Sequence, residues 1–160
     1  MRLSFATLLL VAACARAGFG PATPDDRITL SLSGSTTGGY SLIVTPDDRV
    51  VYDAYANRAA PHLPGWRWGD AQQVSGQAEA ISSGAFSRAM ALLAAAQTAQ
   101  SCPPAPAVNR GSIRLTRGAE TLYQQLTPQA EQPECHAHFQ TLNTALRAAI
   151  LPEGWVQNMP

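Results

Sequence analysis

Cysteine and histidine carry the most versatile side-chain chemistry, and this 160-residue chain has three of each. They are Cys14, Cys102, Cys135, His62, His136 and His138. Cys135-His136-Ala137-His138 invites a metal reading, because thiolate and imidazole are good ligands for zinc or copper. On a helix, however, His136 and His138 at i, i+2 point to different sides. Cys135 also has a competing use. In an oxidising compartment, Cys102 and Cys135 form an even pair and are expected to be a disulfide. Reactive pairs usually sit close together as Cys-x-x-Cys, and these two do not, so the cross-link is read as structural. Closing that loop should stabilise the fold by about 3–4 kcal/mol. No metal is expected, and His136 and His138 are the residues on which one would fall.

Pro61-His62-Leu63-Pro64-Gly65-Trp66-Arg67-Trp68 is the second stretch with chemical content. Two tryptophans flanking an arginine in a loop suit a stacking surface for a glycan or a partner protein, making His62, Trp66, Arg67 and Trp68 the candidate binding surface. The competing reading has the rings folding back over the sheet to cover what alanine-rich segments cannot fill. Gly34 to Gly39 lacks the Lys and the following helix of a phosphate loop and is read as a hairpin connection. Asp25-Asp26 and Asp47-Asp48 are turn chemistry. No Gly-x-Ser-x-Gly, His-Glu-x-x-His or related catalytic pattern occurs, and no cofactor motif. All cationic side chains are Arg, which excludes Schiff-base lysine chemistry. The formal net charge is zero. A nucleic-acid platform needs clustered positive charge to displace counterions, so no nucleic-acid partner is expected.

Compartment is read from the start of the chain. Met1-Arg2 is followed by an uncharged run, Leu3 to Ala13, too short for about 30 Å of hydrocarbon but suited to a signal-peptide core. Leu10-Val11-Ala12-Ala13-Cys14 resembles the lipobox of bacterial lipoproteins. That resemblance implies lipidation of Cys14, a membrane partner reached through the N-terminal lipid, and, since Asp is absent at Ala15, the outer membrane. Ala15-Arg16-Ala17 before Gly18 offers an ordinary cleavage site, which would give a soluble periplasmic protein instead. The expected organisation is a signal peptide over 1–13, a flexible tether over 14–26 rich in Gly, Pro and Ala, and a single domain over 27–156.

Alternation of apolar residues predicts strands over Arg27–Ser33, Tyr40–Thr45 and Arg49–Ala56, a weaker one over Gln72–Ala80, and a hairpin over Ser112–Arg117 and Thr121–Thr127. Phe86, Met90 and Leu93 recur at helical spacing behind Ser82 and Ser83, either of which is the expected N-cap of a helix running to about Gln100. Phe139, Leu142, Leu146 and Ile150 mark a closing helix over Cys135–Ile150. The fold class is α+β: an antiparallel sheet of five to six strands with two helices on one face. The run Tyr40 to Tyr52 followed by a Ser-capped helix resembles an uncharacterised family of small bacterial envelope domains, although the cysteine usual before the first Tyr is missing. That likeness implies a fold and no activity. The expectation is a non-catalytic binding or inhibitory module in the cell envelope, facing the periplasm, with an envelope protein or peptidoglycan as partner. The alternatives are a small hydrolase built on His62 with Asp53 or Asp70, and a metal-binding protein.

Overall fold

A computed structural model describes residues 18–34, 38–56, 74–97, 102–104, 110–129 and 131–152. The elements are β1 (Asp26–Gly34), β2 (Gly38–Val44), β3 (Arg49–Ala56), β4 (Val74–Ile81), α1 (Ala85–Ala96), β5 (Arg110–Arg117), β6 (Glu120–Leu126) and α2 (Pro133–Ile150). The six strands form one antiparallel sheet in the order β4-β3-β2-β1-β5-β6. This is the expected α+β architecture.

Register explains the core. Leu30 lies opposite Leu42 on one side and Ile113 on the other, and Leu42 lies opposite Tyr52. Directly opposed residues share a face, so the alternation of each strand adds to that of its neighbour. Ile28, Leu30, Leu42, Val44, Val50, Tyr52, Ile113 and Leu115 form a fully buried layer. Phe86, Ala89 and Leu93 of α1 join the same cluster, as do Phe139, Leu142, Leu146 and Ile150 of α2. Both helices therefore cover one side. The opposite face is polar, with Arg27, Asp53, Glu79 and Arg114 exposed and Ser31 hydrogen-bonded to Ser112 across the β1–β5 ladder. Gly111 permits close helix-on-sheet packing, since a Cβ there would stand 3.1 Å from the Phe139 ring.

Two expectations are corrected. The first concerns the start of α1, where neither Ser82 nor Ser83 caps the helix. Gly84 is the N-cap, in the left-handed region at φ 72°, and no side chain of its own caps it. The carboxylate of Asp48, from the β2–β3 turn, instead accepts the Gly84 N–H at 2.6 Å and the Phe86 N–H at 3.0 Å. The Ser82 N–H also donates to the Asp48 carbonyl. A remote carboxylate placed at the positive end of the helix thus replaces the local cap. At the far end of α2, the Arg88 guanidinium donates to the Ala149 carbonyl, closing the helix pair.

The second correction concerns the tether. Residues 18–26 belong to the domain. Phe19 is buried, with its ring edge-on to Tyr123. Asp26 opens β1 and is completely enclosed. Its carboxylate receives Arg117 Nε at 2.7 Å and Nη2 at 3.0 Å, and also the Thr23 N–H and hydroxyl. Arg117 donates further to the Pro21 carbonyl at 3.0 Å. A buried carboxylate is stable only when so partnered, and meeting that demand folds the chain before β1 onto the sheet. Arg117 lies 91 residues from Asp26, beyond the reach of any local composition signal.

Candidate functional site

Cys102 and Cys135 are joined as expected, with Cα atoms 5.9 Å apart. The bond ties the segment after α1 to the first turn of α2. That segment is also fastened to the chain beyond β6, through a bridge between Pro104 and Pro128 and a hydrogen bond from Gln129 N–H to the Pro103 carbonyl. The cross-link restricts the freedom of the loop between the two cysteines.

A cleft of about 450 Å³ opens beside this clasp. Its floor is Leu122, Tyr123, Gln124, Gln125 and Leu126 of β6, and its walls are Ala96 and Gln97 at the end of α1, Cys102 and Pro104, and His138 of α2. Consecutive strand residues point to opposite faces. A hollow bounded by five in a row therefore reaches the edge of the sheet as well as its helix-covered face. The Tyr123 hydroxyl donates to Gln125 Oε1 at 2.9 Å, and burial raises its pKa, so the phenol is neutral at ordinary pH. His138 Nε2 is shielded from solvent and has no hydrogen-bond partner among the described residues, and the same holds for Gln132 Oε1. Buried polar atoms left unpaired are costly and rare.

The described lining offers amides, one phenol and one imidazole, with apolar carbon between them. It includes no carboxylate and no arginine, and its cysteine is consumed in the disulfide. Such a surface can bind and orient a neutral, hydrogen-bonding ligand. It holds no pair of groups arranged to pass a proton or attack a carbon.

The sequence-derived candidates fall out as follows. His136 is exposed and His138 half-buried on the cleft wall, so the two are not brought together. Cys135, being disulfide-bonded, cannot join them as a ligand. No group of three or more His, Cys, Asp or Glu suited to a metal occurs among the described residues. Asp53 is exposed on the polar face of the sheet. Cys14, His62, Trp66, Arg67, Trp68 and Asp70 lie outside the described residues. Another aromatic group is structural: Tyr40 stacks on Tyr52 at 6.0 Å beneath the Arg147 guanidinium, and burial pushes the Tyr52 pKa up to about 12.

Among the described residues, no helix is long and apolar enough to cross a membrane. The sequence matches no family model and no curated protein.

Proposed function

We propose that this chain is a non-catalytic binding module, exported and held in a bacterial envelope by a lipid on Cys14, that takes a neutral ligand in the cleft along β6. One observation carries the reading. A disulfide stands in the wall of a cleft whose described side chains can hydrogen-bond but include no acid–base pair. A structural disulfide is the mark of a chain that folds in an oxidising compartment, which supports the export reading of residues 1–13.

The corrected tether adds geometry. Phe19 is already packed in the domain, so a lipid on Cys14 is joined to it through residues 15–18. Four extended residues reach at most about 14 Å. The Cβ position of Gly18 lies 3.7 Å from Gln97, which lines the cleft. The cleft therefore opens beside the anchor, within reach of envelope components at the membrane surface.

The test has two parts. N-terminal mass spectrometry of the native envelope protein is expected to find diacylglyceryl-Cys14. A product beginning at Gly18 would replace the anchor with a soluble periplasmic form, and retention of Met1 with free thiols would overturn export altogether. In the oxidised protein, uncharged glycan fragments of the cell wall or neutral peptides are expected to shift the amide resonances of Gln97, His138 and residues 122–126. Shifts confined to any other surface would refute the cleft.

A further inference from the structure

The main chain of β6 narrows the class of ligand. β6 ends the strand order, so one of its edges has no neighbouring strand among the described residues. The Thr127 N–H donates to the Gly111 carbonyl. Inward and outward residues alternate along an antiparallel ladder, so Gln125 and Tyr123 also face β5. Gln124 and Leu126 then turn their N–H and C=O groups toward the outer edge, where the cleft lies.

Resting on the reading of this cleft as a binding site, we propose that it takes an extended, uncharged stretch of a partner polypeptide, which adds to the sheet as a seventh strand beside β6. Exposed edges are ordinarily blunted by charge, proline or a bulge. Tyr123 to Leu126 contains neither a charged residue nor a proline, and the irregularity in pairing falls just before it, where Leu122 is left over between the pairs Leu115–Tyr123 and Thr116–Thr121. This leaves Gln124 to Leu126 as regular, pairable edge. Charge complementarity points the same way: with no carboxylate or arginine in the described lining, a phosphate-bearing or strongly charged ligand meets no counter-charge.

The strand is not the whole lining: Gln97 at the end of α1, Pro104 and His138 of α2 also reach the cleft, so an extended chain beside β6 meets side chains from several elements. The regular stretch from Tyr123 to Leu126 spans about 10 Å, enough to pair with roughly three or four residues of the partner. Recognition of this kind draws affinity from the main chain and selectivity from small side-chain pockets.

The experiment follows amide shifts of the full oxidised protein with two probes: a capped seven-residue peptide of alternating Thr and Val, and chitotriose. The peptide is expected to shift residues 122–126, Gln97 and His138. Proline is tolerated on a free edge but removes its outward N–H, so Gln124→Pro should weaken peptide binding about tenfold or more, and Gln124→Ala no more than about threefold. Equal losses in the two variants would show side-chain recognition and overturn the proposal. If Gln124→Pro does not fold, peptides N-methylated at alternate residues replace it. One of the two methylation registers must abolish binding, and full binding by both would overturn the proposal. Chitotriose shifting the cleft while the peptide does not would sink the peptide reading and leave the binding cleft standing. Silence from both probes would sink both. Shifts of the same residues on raising protein concentration alone would assign the edge to a second copy instead.

Discussion

Asp48 does two jobs at once, and they can be separated by substitution. Its side chain replaces the missing cap of α1, accepting two backbone N–H groups, while its own backbone sits in the left-handed region at φ 62°. Losing an N-cap costs about 1–2 kcal/mol. A residue with a Cβ and no compensating side-chain bond adds about 1 kcal/mol of left-handed strain. Asp48→Ala should therefore destabilise by about 2–3 kcal/mol. Asp48→Gly loses the cap but relieves the backbone, for about 1–2 kcal/mol. Asp48→Asn keeps one acceptor and tolerates the conformation, so it should cost under about 1 kcal/mol. Urea denaturation of the oxidised protein gives these differences directly. In thermal melts the alanine variant should fall by about 6–12 °C, scaled for a domain of this size. The order Ala, Gly, Asn is the content of the prediction. Equal losses for Ala and Gly would refute the backbone argument. An Asn variant as damaged as Ala would refute the cap.

Two further outcomes follow from the contacts that close the domain. Cys102 and Cys135 are 33 residues apart in sequence, so the double variant Cys102→Ala/Cys135→Ala should lose about 3–4 kcal/mol by denaturant titration. Reductant should then lower the wild type by the same amount and leave the variant unchanged; a variant as stable as the oxidised wild type would refute a structural role. Arg117 and Thr23 hold the Asp26 carboxyl below its usual value of 3.8, with burial opposing them. The unfolded chain therefore binds the proton more readily, so the stabilisation is complete above the ordinary carboxylate range and is lost as pH falls through the depressed folded value. Unfolding midpoints from pH 5 to pH 2 should fall more steeply for the wild type than for Asp26→Asn, and parallel curves would contradict the pairing.

The sheet was legible because each strand carries its own alternation. Ile28, Leu30 and Leu32 announce a buried face without help from the rest of the chain, and register brings Leu42 and Ile113 alongside Leu30. The two helices were legible for the same local reason, in Phe86 with Leu93 and in Phe139 to Ile150. Whatever depended on distant partners was not. The cap of α1 comes from a residue 36 positions before Gly84. The chain before β1 reads as a linker by composition because the group that captures it, Arg117, lies on β5. The cleft is assembled from β6, two helix segments and the disulfide clasp, none of which signals a site by itself. Only the cysteine pair gave a long-range contact in advance, since oxidation makes two thiols each other's expected partner. The tryptophan loop drew attention by residue type, whereas the cleft rests on glutamines and main chain, which no motif singles out.

If the chain is processed as proposed, the burial of Phe19 sets the order of events. A peptidase cutting before Gly18 must hold several residues on both sides of the bond in an open, extended shape. In the finished domain that downstream stretch is locked, with Phe19 in the core and the Pro21 carbonyl bonded to Arg117. Processing at that bond must therefore precede the closing of the N-terminal segment onto β5, whereas a cut before Cys14 leaves four residues of clearance and can follow folding.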